Sequence, residues 1–177
     1  PELAKETKSL ITTTKVELDH TWGLDHGAWS VIKHLYPEAD VPVIQMSLNY
    51  YQTPQYHYDL MKELISFRKM GVLIIGSGNM VHNLRLVAWD NFDSDNFAFD
   101  WASDASEKIK KYILNGDHKN LINYRSLGKA FELAIPTPEH YLPLLCAMSL
   151  KEENEDVQLF NDKAMAGSLT MTSVKIG

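Results

Sequence analysis

Three histidines in this sequence of 177 residues stand beside neighbours that make an imidazole useful. They are His26 in Gly23-Leu24-Asp25-His26-Gly27, His82 in Gly76-Ser77-Gly78-Asn79-Met80-Val81-His82-Asn83, and His140 in Pro136-Thr137-Pro138-Glu139-His140. Imidazole changes charge near neutral pH and is a common metal ligand when neutral, so it serves proton transfer and metal binding alike. A carboxylate beside an imidazole, as at Glu139-His140, suits a divalent ion: two histidines and a carboxylate fit non-haem iron, and all-histidine or mixed sets fit zinc. In such a pair one residue coordinates and the other supports it.

Each motif also has a reading without chemistry. Asp25 suits the N-cap of a helix starting near Ala28, whose amino terminus would keep the His26 ring neutral. Thr137 suits an N-cap and Pro138 a first helical residue, with Glu139 complementing the helix dipole. The glycines at 76 and 78 permit a tight turn, but a dinucleotide loop would need a third glycine where Val81 stands and an acidic residue about twenty positions on. No Gly-x-Ser-x-Gly elbow occurs, which disfavours a serine hydrolase. Cys146 lies in an apolar run and reads as a small hydrophobe. His20, His34, His57 and His118 read as surface or packing residues.

Positioning these residues falls to a succession of short elements. Pro1 to Ile11 reads as a helix, Thr14 to Leu18 as a strand, Gly27 to Leu35 as a helix closed by Pro37, and Val43 to Leu48 as a strand. Pro54 opens a helix running to about Met70 with Gly71 as its C-cap, and Val72 to Ile75 is a wholly apolar strand. Strand, helix, strand in that order predicts a βαβ unit with parallel neighbours and a right-handed crossover. His82 then falls just beyond a strand's carboxyl end, where α/β sheets bind ligands. Ala105 to Leu114 and Pro138 to Leu145 carry helical signals, while Val157 to Phe160 and Ser168 to Ile176 alternate weakly, as edge strands do. The predicted fold class is α/β, with a central mixed, largely parallel sheet flanked by helices on both faces, in a single domain over residues 1–177.

Composition narrows the partners. With 45% hydrophobic residues the chain can bury a core, and a net charge of -6 without a basic patch argues against nucleic acid or an anionic membrane. The apolar runs fall far short of the roughly 20 residues that span a bilayer, and no secretory leader opens the chain, so a cytoplasmic location is the default expectation. Pro1-Glu2 would suit the first turn of a helix within a longer protein, so a chain incomplete at its amino terminus is expected.

Trp22-Gly23-Leu24-Asp25-His26-Gly27-Ala28-Trp29, Gly76-Ser77-Gly78-Asn79-Met80-Val81-His82-Asn83-Leu84-Arg85 and Pro136-Thr137-Pro138-Glu139-His140-Tyr141-Leu142-Pro143-Leu144 together resemble the class III extradiol dioxygenases, in the DOPA 4,5-dioxygenase branch. Tyr36-Pro37 through Val43-Ile44-Gln45-Met46-Ser47 and the closing Gly167-Ser168-Leu169-Thr170-Met171 extend the likeness over nearly the whole chain. The resemblance implies a mononuclear divalent metal, iron(II) or zinc, and a catechol whose ring is opened by insertion of both atoms of O2. It implies His140 as a metal ligand with Glu139 in support, His82 as either a metal-site residue or the acid/base, and His26 as a pocket histidine that hydrogen-bonds substrate or O2. Asp25, Trp29 and Arg85 become candidate substrate contacts. The family's Gly-His-Gly-Ser-Pro and Ser-Ala-His-Trp motifs, each supplying a metal histidine, are not in this sequence, so a missing amino-terminal segment or chain is expected to complete the site, and an oligomer is compatible with this. The second reading is a metal-binding or catalytically inactive interaction protein of the same fold.

Overall fold

A computed structural model describes residues 1–177, and its order of elements follows from local signals in most places. Helix α1 (Glu2–Leu10) is followed by an extended stretch and by α2 (His26–Leu35), which Asp25 caps by accepting a hydrogen bond from the Ala28 amide at 2.8 Å. The predicted helix from Pro54 divides into α3 (Pro54–Lys62), capped by the Thr53 hydroxyl, and a short α4 (Ser66–Lys69). Gly71, at φ +77°, ends that pair in the left-handed conformation while the Val72 amide reaches back to the Phe67 carbonyl.

The largest buried cluster lies in the second half of the chain. Helix α5 (Asp100–Leu114) buries Ala102, Ala105, Ser106, Ile109 and Ile113, the spacing of one helix face. It packs with α6 (His118–Ile122), α7 (Lys129–Ala134) and α8 (Leu142–Ser149) around fifteen buried apolar side chains. A second cluster of seven, including Leu60, Met61, Leu64 and Phe67 with Cys146 and Leu150, joins α3 and α4 to the back of α8. Burial pushes the Cys146 thiol up to about 12, so it is an inert apolar side chain, as its setting predicts.

The central parallel sheet is the expectation that the structure corrects. Thr14–Leu18, Val43–Leu48 and Val72–Ile75 are extended, but no backbone hydrogen bond joins them to one another. Alternate residues Val16, Met46, Leu48, Val72 and Ile74 instead lie on the cluster built by α3, α4 and α8. β-branched composition makes a segment extended, whereas a ladder also needs a partner backbone about 4.8 Å away, and periodicity does not supply that. The hydrogen-bonded strands are all antiparallel: β1 (Val157–Phe160) pairs with β4 (Ser173–Ile176) in the register Val157↔Ile176, and β2 (Ala164–Met165) pairs with β3 (Leu169–Thr170). Helices and strands are both present, so the class stands at the level of α/β, without the predicted βαβ ladder. No helix is long and apolar enough to cross a membrane.

Candidate active site

His82 and His140 meet. Their rings stack with centroids 3.7 Å apart and planes inclined by 22°, although 58 positions separate them in the sequence. His82 is seated from both sides: its amide donates to the Ala134 carbonyl at 2.9 Å, and the residue bridges to Leu169 of β3. Val81, immediately before it, is fully buried and bonded twice to Thr170, its amide to Oγ1 and its carbonyl to the Thr170 amide. Asn83, immediately after, is buried and donates from its side chain to the Leu133 carbonyl at 2.7 Å.

His140 sits on a turn that precedes α8. Thr137 does not cap a helix here: its hydroxyl donates to Glu139 Oε1 at 2.6 Å, and the helix begins only at Leu142. The reason is that Pro138, 138 to 142, closes a tight turn through the Tyr141 and Leu142 amides, both of which donate to the Pro138 carbonyl. Tyr141, wholly buried against Tyr124 and donating to the Leu121 carbonyl at 3.0 Å, anchors that turn to the core. Against it lies the Gly76-Ser77-Gly78 loop. A Cβ at Gly78 would overlap the His140 carbonyl oxygen and one at Gly76 the Pro143 carbonyl, so close backbone approach, and not phosphate binding, explains these glycines.

The His26 turn reaches the same loop by a different route. His26 is the first residue of α2, exposed, with its ring edge-on to Trp29 at 5.3 Å. Both carboxylate oxygens of Asp25 are engaged, one by the Ala28 amide and one by Gln45 Nε2, while Gln45 Oε1 accepts from the Asp25 amide. Asp25 thus ties the start of α2 to Gln45. Ser77 Oγ donates to the Gly27 carbonyl at 2.8 Å and closes the link to the glycine loop. Arg85 is exposed, its amide held by Asn83 Oδ1. Gln45 and Ser77 were not singled out from the sequence; a polar residue centred in the apolar run Val43–Leu48 was the available signal for Gln45.

Burial first, and then the adjacent His140 ring, hold the His82 imidazole below its ordinary range, with Glu139 opposing weakly. His82 is therefore neutral at neutral pH and able to accept a proton. The donors named for a metal do not form a three-donor group: nothing among His, Cys, Asp and Glu gathers into a set of three, and Glu139 is turned to Thr137. Two stacked rings inclined by only 22° also hold their in-plane lone pairs in nearly parallel planes, with ring centroids 3.7 Å apart, and such pairs do not converge on one ion at the about 2.1 Å that a metal–nitrogen bond requires. As arranged here, these residues alone do not fit a mononuclear metal. Of the other histidines, His57 is buried with Nδ1 at 2.9 Å from the Thr53 carbonyl, and His118 is half-buried on the Tyr58 hydroxyl, so both are packing residues.

The chain is 35% identical over 181 residues to 4,5-DOPA dioxygenase extradiol of Escherichia coli (strain K12), covering 100% of this chain and 65% of that protein. It is 34% identical over 178 residues to the protein of the same name from Beta vulgaris, covering 99% of this chain and 65% of the relative. The crystal structure of an uncharacterized protein from Escherichia coli K12 superposes with a TM-score of 0.90 at 35% identity, over 100% of this chain and 72% of that one. The chain thus spans about two thirds of the length of these relatives. Residues 1–171 match the family described as the catalytic LigB subunit of aromatic ring-opening dioxygenase, and to that family the chain belongs.

Proposed function

We propose that this chain carries the proton-handling part of an extradiol dioxygenase site that opens the ring of a DOPA-like catechol. The observation that supports the reading most is the His82–His140 stack, in which burial keeps a neutral imidazole at the edge of the folded core. In the reaction a carbon–carbon bond beside the diol breaks, both atoms of O2 enter the product as a carboxylate and an aldehyde, and the ring supplies the electrons that reduce O2. His82 takes the proton of one catechol hydroxyl and returns a proton as the ring opens, and His26 hydrogen-bonds substrate or O2 from the opposite turn. In this reading Trp29 and Arg85 contact the substrate, while Asp25 holds the His26 turn in place. Enzymes of this kind generally use a metal; iron(II) and zinc are the candidates, with His140 and Glu139 the residues of this chain nearest to such a role once further donors join them. The donors present in this chain do not by themselves converge on one ion. A cytoplasmic location and oligomerisation belong to the same reading.

The test uses the full-length natural protein, iron(II) or zinc, and a catechol, following O2 uptake and the yellow semialdehyde. Wild type should turn over, and His82→Ala should lose about a hundredfold or more in kcat. No product from wild type with either metal, or undiminished product from His82→Ala, would overturn the reading. The alternative, a metal-binding or inactive interaction protein of the same fold, is favoured by the lack of three convergent donors and predicts a stable protein without O2 uptake.

A further inference from the structure

We propose that Asn79 is the positioning residue of the histidine pair, holding the turn of His140 and the strand beside His82 at the spacing that lets the rings stack. Residues 76 to 79 include no buried side chain. Three hydrogen bonds attach them to the rest of the protein, and Asn79 makes two: its amide donates to the His140 carbonyl at 2.8 Å, and its side-chain Nδ2 donates to the Thr170 carbonyl at 2.7 Å. Thr170 is in turn bonded twice to Val81, the residue before His82. One side chain therefore closes a circuit from His140 through the loop to β3 and back to His82. The third bond, from Ser77 to Gly27, runs instead to the His26 turn. Two residues two positions apart thus divide the work: Asn79 sets His140 against His82, and Ser77 ties in His26. Gly78, between them, is what allows the loop close enough for the Asn79 amide to reach the His140 carbonyl.

The spacing is a matter of geometry alone, and its kinetic consequence rests on the ring-opening reading above. A misplacement of about 1 Å costs up to about a hundredfold in rate, so Asn79→Ala should lower kcat by about ten- to a hundredfold with KM changed by less than about threefold. The decisive readout does not need activity. Stacked imidazoles shield each other, so the ring C–H proton resonances of His82 and His140, assigned from His82→Gln and His140→Gln in the full-length natural protein, should lie upfield in wild type. Asn79→Ala should move both to unstacked positions, and Ser77→Ala should leave them in place. Asn79→Asp, which keeps the volume and removes the donor, repeats the test should the alanine variant unfold. Absent upfield shifts in wild type, shifts retained in both Asn79 variants, or unfolding of both would overturn the proposal. Shifts lost on substitution in a wild type that opens no catechol would leave Asn79 its place and remove the dioxygenase reading instead.

Discussion

The two parts of the molecule that supply the histidines are held together by different forces. Between residues 102 and 150 the chain buries whole faces of α5, α7 and α8, and His82 and His140 stand at the margin of that core. Between residues 12 and 56 not one residue is buried, and α2, which begins with His26, buries none of its ten. In the second region Val16, Met46 and Leu48 rest half-buried on the smaller cluster, and polar clasps do the rest: Glu63 accepts from the Thr12 amide, the Thr12 hydroxyl and the Thr13 amide, Gln45 grips Asp25, and Ser77 grips Gly27. Trp22, Tyr50 and Tyr51 remain largely in solvent there, Tyr51 at 94% exposure. The buried region fixes its histidines by packing, which is costly to undo. The open region fixes its histidine by exposed hydrogen bonds, each worth about 1 kcal/mol, and its opening free energy is correspondingly low.

The sharpest way to break this contrast is to remove the same kind of atom from each side. Leu145→Ala in α8, where the side chain has no exposure, should lower the unfolding free energy by about 3 kcal/mol in denaturant titration, whereas Val31→Ala in α2 should change it by less than about 0.5 kcal/mol. Equal losses would show that α2 is packed as tightly as α8. Next in size, Gly78→Ala sets a methyl against the His140 carbonyl and should cost about 2 kcal/mol, with the Pro138 to Leu142 turn shifting in a crystal structure of the variant. A stability within 0.5 kcal/mol of wild type, on the order of ordinary surface substitutions, would mean that the loop moves aside freely.

Smaller and local, Asp25→Ala removes the α2 cap and should weaken that helix by about 1 kcal/mol, seen as roughly fivefold faster amide exchange in α2 with α5 unaffected. Exchange that rises equally in both helices would contradict a separately held α2. The smallest effect is a pH effect. Hydrogen bonds from Thr13 and Thr12 hold the Glu63 carboxyl down to about 2 from an ordinary 4.5. A depressed folded-state value means that the folded protein binds fewer protons than the unfolded one between those values, so the Glu63 clamp is at full strength above pH 4.5 and is lost as pH falls toward 2. Amide protection at Thr12 and Thr13 should therefore decline across that window and lie flat in Glu63→Gln. Unchanged protection in wild type down to the lower value would show that the clamp is not what holds the stretch after α1.

Local signals were sufficient wherever a structure is decided by a few neighbouring residues. Asp25 before Ala28 gave a capped α2, Gly71 gave a left-handed helix end, and the weak alternation over Val157 to Phe160 and Ser168 to Ile176 marked the stretches that hold β1, β3 and β4, though not their pairing. The same holds for the placing of His26, His82 and His140 at the joints between elements, because caps, turns and glycine loops are written in consecutive residues. Even there the sequence misled at Thr137, whose hydroxyl bonds Glu139 because the helix it was expected to cap begins only at Leu142. Only the tertiary structure decided whether extended segments pair, since apolar residues spaced by two are satisfied as well by lying on helices as by joining a ladder. It alone brought His82 onto His140, and it alone turned Asp25, Ser77 and Asn79 toward partners 20, 50 and 61 positions away. Contacts across such distances depend on how faces pack, which no stretch of consecutive residues encodes, and so the residue types of the site belong to the sequence while its geometry belongs to the fold.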